Sequence, residues 1–360
     1  MLLERNLDVN YSLVDFAYNH TLEFVDHVPK KLRKNIGQFF TSVPVAHYMS
    51  DLMSVSKPSV RLLDAGAGTG ILSAAFCEKL INNNNVKDIC IDLYETNGTV
   101  LLRLETVMEY IKEIMKQSKK TFNYNIYPEN YILKNAEYGN NGLKKYDVIF
   151  SNPPYKKIGR NDDEAKALDE VVSGQPNLYF LFLTMSVRML KDTGELIYII
   201  PRSFSSGAYF RKFRNWFFQN ASLTNLHLFV SRNNVFNCDN VLQETIILRA
   251  MKKREKEDVI HVTECIDMNG TSKVDAFSVP YDTVVKNDYN NFVFFPTNKD
   301  DISIINIFNS WNSTLIKNGY KLKTGLVVDF RLKDFLQIEE QEDSVPLLWA
   351  YNIDNYRVKF

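Results

Sequence analysis

The sequence predicts an α/β fold built around an open, mostly parallel sheet. The first observation is a short apolar strand, Val60–Leu63, which runs into a glycine-rich turn, Asp64–Gly70, and then into a helix. Strand, glycine turn and helix in this order are typical of nucleotide-binding α/β proteins. The second observation is a buried strand at Tyr146–Phe150 that two prolines stop abruptly, because proline cannot donate to a ladder of strand hydrogen bonds.

The other predicted elements alternate along the chain, as a parallel sheet with crossover helices requires. Apolar residues at helical spacing predict helices at residues 11–28, 71–82, 97–119, 178–190, 209–218 and 301–311. Apolar or β-branched runs predict strands at residues 88–94, 131–134, 195–200, 223–230, 245–250, 259–262 and 292–295.

The composition excludes several classes of protein. The 360 residues are 45% hydrophobic, and 43 basic residues balance 43 acidic ones, so the chain is globular and not a generally basic nucleic-acid binder. A local basic cleft stays compatible with this balance. The sequence has no apolar run of about 18 residues and no signal peptide, so we expect a cytoplasmic protein without a membrane span. The four cysteines and five histidines are scattered, which indicates neither a disulfide framework nor a metal centre.

The glycine turn is the first candidate binding element. Glycines let a ligand approach the backbone closely, and the acidic start at Asp64 fits S-adenosylmethionine better than a dinucleotide. Glu95, at the tip of the second strand, can accept both hydroxyls of a ribose. Glu137, after the run at 131–134, is either an acceptor for an adenine amino group, with Tyr138 against the ring, or a surface acid.

The turn Ser151–Tyr155 is the second candidate element. Asn152 offers an amide oxygen and Pro153 a peptide carbonyl, so a stiff turn carries two acceptors for one –NH2 group. Tyr155 places an aromatic ring beside them, which suits a planar substrate with an amino group, such as a nucleobase or a carboxamide.

Three further segments can border this site. Thr41 or Ser42 caps a helix and can also contact a ligand carboxylate. The long polar segment 156–176 begins with basic residues and is either a substrate-binding loop or a solvated one. Phe236 is either a platform for an unstacked base or a buried anchor.

Taken together, Gly37–Thr41, Asp64–Gly70, Glu95 and Ser151–Tyr155 resemble the motifs of DNA adenine-N6 methyltransferases of restriction–modification systems, in the order called gamma. The resemblance implies a Rossmann-like S-adenosylmethionine-dependent methyltransferase fold, a seven-stranded mostly parallel sheet with helices on both faces. It assigns S-adenosylmethionine to Gln38, Thr41, Asp64, Ala65, Gly66, Gly68, Glu95, Thr96, Glu137, Tyr138 and Asn152. It assigns the reaction to Asn152, Pro153, Pro154 and Tyr155, and stacking on a flipped base to Tyr155 and Phe236, without a metal.

The resemblance also implies an organisation and partners. We expect an N-terminal helical region at residues 1–58, a catalytic domain at 59–300 and the beginning of a truncated target-recognition domain at 301–360. The expected partner is double-stranded DNA in a bacterial cytoplasm, in association with the nucleoid, with restriction nuclease activity on a missing part or a partner chain. Two alternatives stay open: the same turn methylating a protein glutamine or an RNA adenine, and a non-catalytic DNA-binding subunit.

Overall fold

Nine strands form one twisted sheet in the computed structural model, which describes residues 12–28, 40–138, 145–229, 244–252, 258–265, 275–321, 327, 331–339, 341–354 and 357–358. The strands are β1 (Ser59–Ala65), β2 (Asp88–Tyr94), β3 (Thr121–Tyr127), β4 (Tyr146–Ser151), β5 (Leu190–Pro201), β6 (Ala221–Phe229), β7 (Thr245–Lys252), β8 (Val259–Cys265) and β9 (Asp275–Pro280). Their order in the sheet is β3-β2-β1-β4-β5-β7-β6-β8-β9. The predicted α/β sheet is therefore confirmed, with β8 and β9 adding two strands to the seven that the resemblance implies.

Strands β1 to β5 are mutually parallel, β7 is antiparallel to both β5 and β6, and β9 is antiparallel to β8. The chain moves outward from β1 to β2 and β3 on one side, and from β4 to β5 on the other. The order of strands thus reverses between β1 and β4. In open α/β sheets, ligands bind in the crevice at the carboxyl ends of the strands at such a reversal.

Helices connect the parallel strands, as crossover connections require. The helices of the described residues are α1 (Leu13–His27), α2 (Val43–Asp51), α3 (Ile71–Ile81), α4 (Gly98–Gln117), α5 (Tyr131–Ala136), α6 (Asp163–Ala167), α7 (Leu178–Met189), α8 (Arg211–Asn220), α9 (Tyr281–Val284) and α10 (Lys299–Ser310). Helix α3 is apolar nearly all round because the sheet lies on one side of it and α1 and α2 pack on the other.

The N-terminal helices bring two segments to the carboxyl edge of the sheet. Ser42 precedes α2 in extended conformation, and Pro44 lies in the first turn, where its missing N–H costs nothing. Helix α1 contacts the glycine turn directly, since the hydroxyl oxygens of Thr21 and Thr69 lie 2.5 Å apart in the buried interior.

Two predicted strands are wrong. Residues 131–134 belong to helix α5, which Asn130 caps by accepting from the backbone N–H groups of Ile132 and Leu133. The third strand is instead Thr121–Tyr127, which pairs in parallel with β2 along its whole length. Residues 292–295 are not a strand. Val293 forms a single antiparallel bridge with Val285.

The contacts divide the chain into two compact units, Met1–Asn306 and Ile307–Phe360. The second unit contains 3-10 turns at Lys333–Phe335 and Ala350–Asn352 and a small antiparallel pair, β10 (Ile353–Asp354) and β11 (Arg357–Val358). Within the part of the chain described, we find no helix long and apolar enough to cross a membrane.

Candidate active site

A cavity of about 330 Å³ lies at the strand reversal, above the carboxyl ends of β1 and β4. Its size suits a small-molecule ligand, because such pockets typically span about 300–1,000 Å³. Residues from six segments line it: Phe40, Thr41, Gly66–Thr69, Ile71, Leu72, Tyr94–Asn97, Glu129–Tyr131, Asn152, Pro154, Lys156, Leu178 and Phe182. The structure thus brings the glycine turn and the Asn-Pro-Pro-Tyr turn to one cavity.

The glycine turn forms the floor of the cavity. Gly66, Gly68 and Gly70 have φ angles of 101°, 55° and 92°, a left-handed backbone that other residues rarely adopt. A Cβ on Gly70 would lie 3.0 Å from a methyl of Leu104 and 3.2 Å from a methyl of Val107, so this glycine also sets the approach of α3 to α4.

Backbone N–H groups of the turn are already bonded within the protein. Gly66 and Ala67 both donate to the carbonyl oxygen of Tyr94, at 3.1 and 2.8 Å, and Gly70 donates to Ala67. Gly68 donates to the carboxylate of Glu95 at 3.0 Å. A pyrophosphate-binding loop needs such groups free to face the ligand, so these bonds and the adjoining carboxylate disfavour a dinucleotide.

Glu95 directs a carboxylate to the rim of the cavity at the end of β2. One oxygen accepts from Gly68 and the other from the backbone N–H of Asn97, at 2.7 Å. These bonds fix the carboxylate but leave further lone pairs on both oxygens for ligand hydroxyls. Burial raises the pKa of this carboxyl, and backbone N–H groups of Asn97, Gly68 and Thr96 oppose that shift.

Asp64 and Ala65 lie below the floor and do not line the cavity. The Asp64 side chain has no exposed surface and accepts a 2.6 Å hydrogen bond from the hydroxyl of Ser73 in α3. Burial raises the pKa of this carboxyl to about 7. The carbonyl of Ala65 accepts from the Ser151 hydroxyl, which joins β1 to β4 beneath the site.

An aromatic wall closes the side of the cavity next to β3. Tyr94 stacks on Tyr127 at 4.9 Å between ring centroids and meets Tyr131 edge-on at 5.1 Å. The ring of Phe182 packs on that of Tyr131, with 5.2 Å between the ring centroids. Flat apolar rings of this kind favour a planar ligand group.

Asn152 extends from the end of β4 toward the opposite wall. Its amide nitrogen donates to the hydroxyl of Thr41 at 3.1 Å, so the two predicted motifs are hydrogen-bonded across the cavity. Thr41 is nearly fully buried, which fixes the amide in place from the side of α2.

The four residues that follow Asn152 lie in different surroundings. Pro154 and Lys156 line the cavity, whereas Pro153 and Tyr155 do not. The hydroxyl of Tyr155 donates to the backbone carbonyl of Ile199 in β5 at 3.0 Å, and its ring meets Tyr179 edge-on. Tyr155 is 9% exposed, so a base that stacks on it must approach its remaining free surface. Stacking stays a prediction.

Glu137 and Tyr138 lie after α5, outside the lining of the cavity, because residues 131–136 are helical. Tyr138 is largely exposed. The acidic residue that follows the true third strand is Glu129, and it lines the cavity together with Asn130 and Tyr131. The alternation of Phe122, Tyr124 and Ile126 was the signal in the sequence for this strand, and hence for Glu129.

Two predicted site residues, Gln38 and Phe236, lie outside the described residues. Thr96 lines the cavity beside Glu95. The residues that the structure describes contain no cluster of histidine, cysteine and carboxylate side chains able to hold a metal ion.

The chain is similar in sequence to known methyltransferases. Residues 53–236 match the family described as Eco57I restriction-modification methylase. The type II methyltransferase M.PstI of Providencia stuartii is 32% identical over 354 residues, which cover 97% of this chain and 68% of that protein. M.BsuBI of Bacillus subtilis, also a type II methyltransferase, is 33% identical over 331 residues, 89% of this chain and 64% of that protein. The chain therefore spans about two thirds of the length of these relatives.

Among solved structures, a Listeria monocytogenes protein described as a candidate class I S-adenosylmethionine-dependent methyltransferase superimposes with a TM-score of 0.54. The match covers 72% of this chain and 75% of the other at 15% identity. This similarity concerns the fold alone, and it agrees with the α/β methyltransferase fold predicted from the sequence.

Proposed function

Because the chain belongs to the Eco57I restriction-modification methylase family, we propose that it transfers a methyl group from S-adenosylmethionine to the N6 amino group of adenine in double-stranded DNA. The observation that carries this proposal is the meeting of Asn152 and the glycine turn in one cavity, with Asn152 held by Thr41.

The residues present fit S-adenosylmethionine. The turn glycines leave room that side chains would fill, and Glu95 is placed for the two hydroxyls of a ribose. The wall of Tyr94, Tyr131 and Phe182 suits a planar adenine. Glu129, beside that wall, is the acceptor that we assign to the adenine amino group in place of Glu137, since the side chain of its neighbour Asn130 is engaged in capping α5.

When bound, S-adenosylmethionine supplies an electrophilic methyl group on a sulfonium. The residues of the chain orient the acceptor. We assign the amide oxygen of Asn152 and the carbonyl of Pro153 to the two N–H bonds of the target amine, which turns the nitrogen lone pair toward the methyl group. Held in this way, the amine nitrogen would accept the methyl group that bound S-adenosylmethionine would supply from its sulfonium, and the amine would release one proton to solvent. Such orientation supplies much of the rate without a covalent enzyme intermediate.

The target adenine must leave the duplex to reach this turn, which costs a few kcal/mol of unstacking and unpairing. Pro153 and Pro154 keep the turn stiff, so little further ordering is needed when the base arrives. The ring of Tyr155, anchored through its hydroxyl to β5, is the assigned stacking surface.

Substitution of Asn152 tests the assignment. We expect Asn152→Ala to lose methyl transfer by about a hundredfold to a thousandfold, since one acceptor is removed where charge develops, while S-adenosylmethionine still binds. The matched control is Asn152→Asp, which keeps an oxygen acceptor and can accept from the Thr41 hydroxyl, so we expect it to retain measurable transfer. Tritium transfer and calorimetric titration of the cofactor measure the two quantities separately. Full activity of Asn152→Ala would show that Asn152 has no role in methyl transfer.

The alternative substrates are separated by the same assay. Transfer to protein or RNA, with none to DNA, would replace the proposed substrate while leaving the roles of Asn152 and Glu95 intact. Cofactor binding without transfer to any acceptor would favour a non-catalytic subunit.

A further inference from the structure

A second cavity, of about 460 Å³, opens beside the segment that follows the Asn-Pro-Pro-Tyr turn. We call it the basic cleft. The charged side chains that line it are Arg160, Lys166, Asp169 and Lys212, three cations against one carboxylate. Lys166 is paired with Asp163 at 3.4 Å, an exposed contact. Among the described residues, neither Arg160 nor Lys212 has an ion-pair partner, so two of the cations face the cleft without an anion.

The segment that carries Arg160 is braced at its base. Residues Lys157 and Asn177 form an antiparallel bridge, and Ile158 donates to the carbonyl of Pro176 at 3.0 Å. Leu178 donates to the carbonyl of Lys156 at 2.9 Å, and both of these residues line the cofactor cavity. The two ends of the loop are therefore hydrogen-bonded to each other beside the cofactor cavity.

Two further contacts attach the body of the segment to its surroundings. The Asn130 side chain, on the wall of the cofactor cavity, donates to Glu164 in α6 at 2.7 Å. Arg188 of α7 pairs with Glu170 in the 3-10 turn that follows α6. The orientation of the cleft is thus tied to the cavity in which the methyl group is transferred.

The start of α8, which carries Lys212, is attached to the segment that carries Arg160. The Ser173 hydroxyl donates to the carbonyl of Tyr209 at 2.8 Å, two residues before α8 begins. The Tyr209 ring packs so closely on Gly174 that a Cβ there would lie 2.1 Å from it. Lys212, in the first turn of α8, is thereby held in the lining of the same cleft as Arg160.

We propose that the basic cleft binds the phosphate backbone of the DNA strand that carries the target adenine, an inference that rests on the proposed function. Arg160 follows Pro154 by only six positions, so their Cα atoms lie within about 20 Å of each other, a distance that a few nucleotides span. Phosphate contacts position a duplex without reading its sequence. The cleft would fix the register of the strand while the turn receives the flipped base.

The test removes both unpaired cations in the 360-residue chain, as Arg160→Gln/Lys212→Gln. We expect DNA affinity at 50 mM salt to fall roughly tenfold to a hundredfold, and the slope of log K against log salt to decrease by about two, because each lost phosphate contact removes about one counterion. S-adenosylmethionine affinity should not change, which also shows that the variant is folded.

The matched control is Lys87→Gln/Lys116→Gln. Both lysines are exposed, and both lie toward the amino edge of the sheet, before β2 and in the last turn of α4. The control removes the same charge, and we expect DNA affinity within twofold of the unsubstituted chain.

Three results would overturn the cleft assignment. If the Arg160→Gln/Lys212→Gln variant binds and methylates DNA like the unsubstituted chain, with the same salt slope, the basic cleft does not bind the DNA backbone. The proposed function is then unaffected. If the control loses as much affinity, the effect is one of net charge and the cleft falls as well. If the unsubstituted chain neither binds nor methylates DNA, the proposed function and the cleft fall together.

Discussion

At the scale of single residues, burial decides what each acidic side chain of the site does. Glu95 lies at the rim, where its carboxylate is fixed by two backbone N–H groups and still faces the cavity. Asp64 begins the glycine motif, yet it is fully buried and bonded to Ser73. We therefore regard Asp64 as a positioning residue that holds α3 and the turn, and not as a ligand contact.

The pKa of Asp64 makes this role measurable. Because the folded-state pKa, about 7, lies above the ordinary value of 3.8, the folded protein binds a proton that the unfolded chain releases. This contribution to stability is complete below about pH 4 and is lost as the pH rises toward 7. Asp64→Asn lacks the titration, so between pH 4.5 and 7.5 its free energy of unfolding should rise relative to the unsubstituted chain by on the order of 3 kcal/mol.

Urea unfolding at both pH values measures this difference. Ser73→Ala, which keeps Asp64 and removes the hydroxyl donor, is the companion variant and should retain the pH dependence. A constant gap between Asp64→Asn and the unsubstituted chain across this range would show that Asp64 is ionised in the folded protein.

At the scale of elements, the strongly patterned segments were predictable and the others were not. Strand β2 was predicted at the residues where the structure has it, and β1 and β4 each extend at least one residue further. These three runs are mostly buried, and Gly66 after β1 and the two prolines after β4 mark where two of them end, so they carry a clear signal. Residues 131–134 are also apolar, but such short runs do not distinguish strand from helix, and the capping side chain of Asn130 decides for helix. Because the strand at Thr121–Tyr127 was not predicted, the acceptor for the adenine amino group was assigned to Glu137 and not to Glu129.

The glycine turn gives a prediction at this scale. Gly70→Ala should lower the free energy of unfolding by about 2 kcal/mol, because alanine is strained at a φ of 92° and its methyl would press on Leu104 and Val107. The matched control is Gly98→Ala. Gly98 is the first residue of α4, and a Cβ there meets nothing within 4 Å, so alanine should be neutral or stabilising by up to about 1 kcal/mol.

Chemical denaturation of the two variants gives the comparison. Equal stability of Gly70→Ala and Gly98→Ala would mean that the left-handed turn does not constrain the packing of α3 against α4.

At the scale of the whole molecule, one sheet reversal assembles a site from residues far apart in sequence. The carboxyl ends of β1, β2, β3 and β4 deliver the glycine turn, Glu95, Glu129 and Asn152 to one edge, and the segment before α2 adds Thr41. The sequence identified most of these elements separately. It could not show that Asn152 bonds Thr41 or that a basic cleft adjoins the turn, because both depend on packing between segments distant along the chain.

The most direct test of the central claim is to identify the methylated product. The 360-residue chain is incubated with unmethylated bacterial DNA and methyl-labelled S-adenosylmethionine, and the DNA is digested to nucleosides and separated. We predict that the label is recovered in N6-methyldeoxyadenosine and that Asn152→Ala reduces it by about a hundredfold or more. Label in a methylated cytosine, or none in DNA despite cofactor binding and transfer to protein or RNA, would contradict the proposed function.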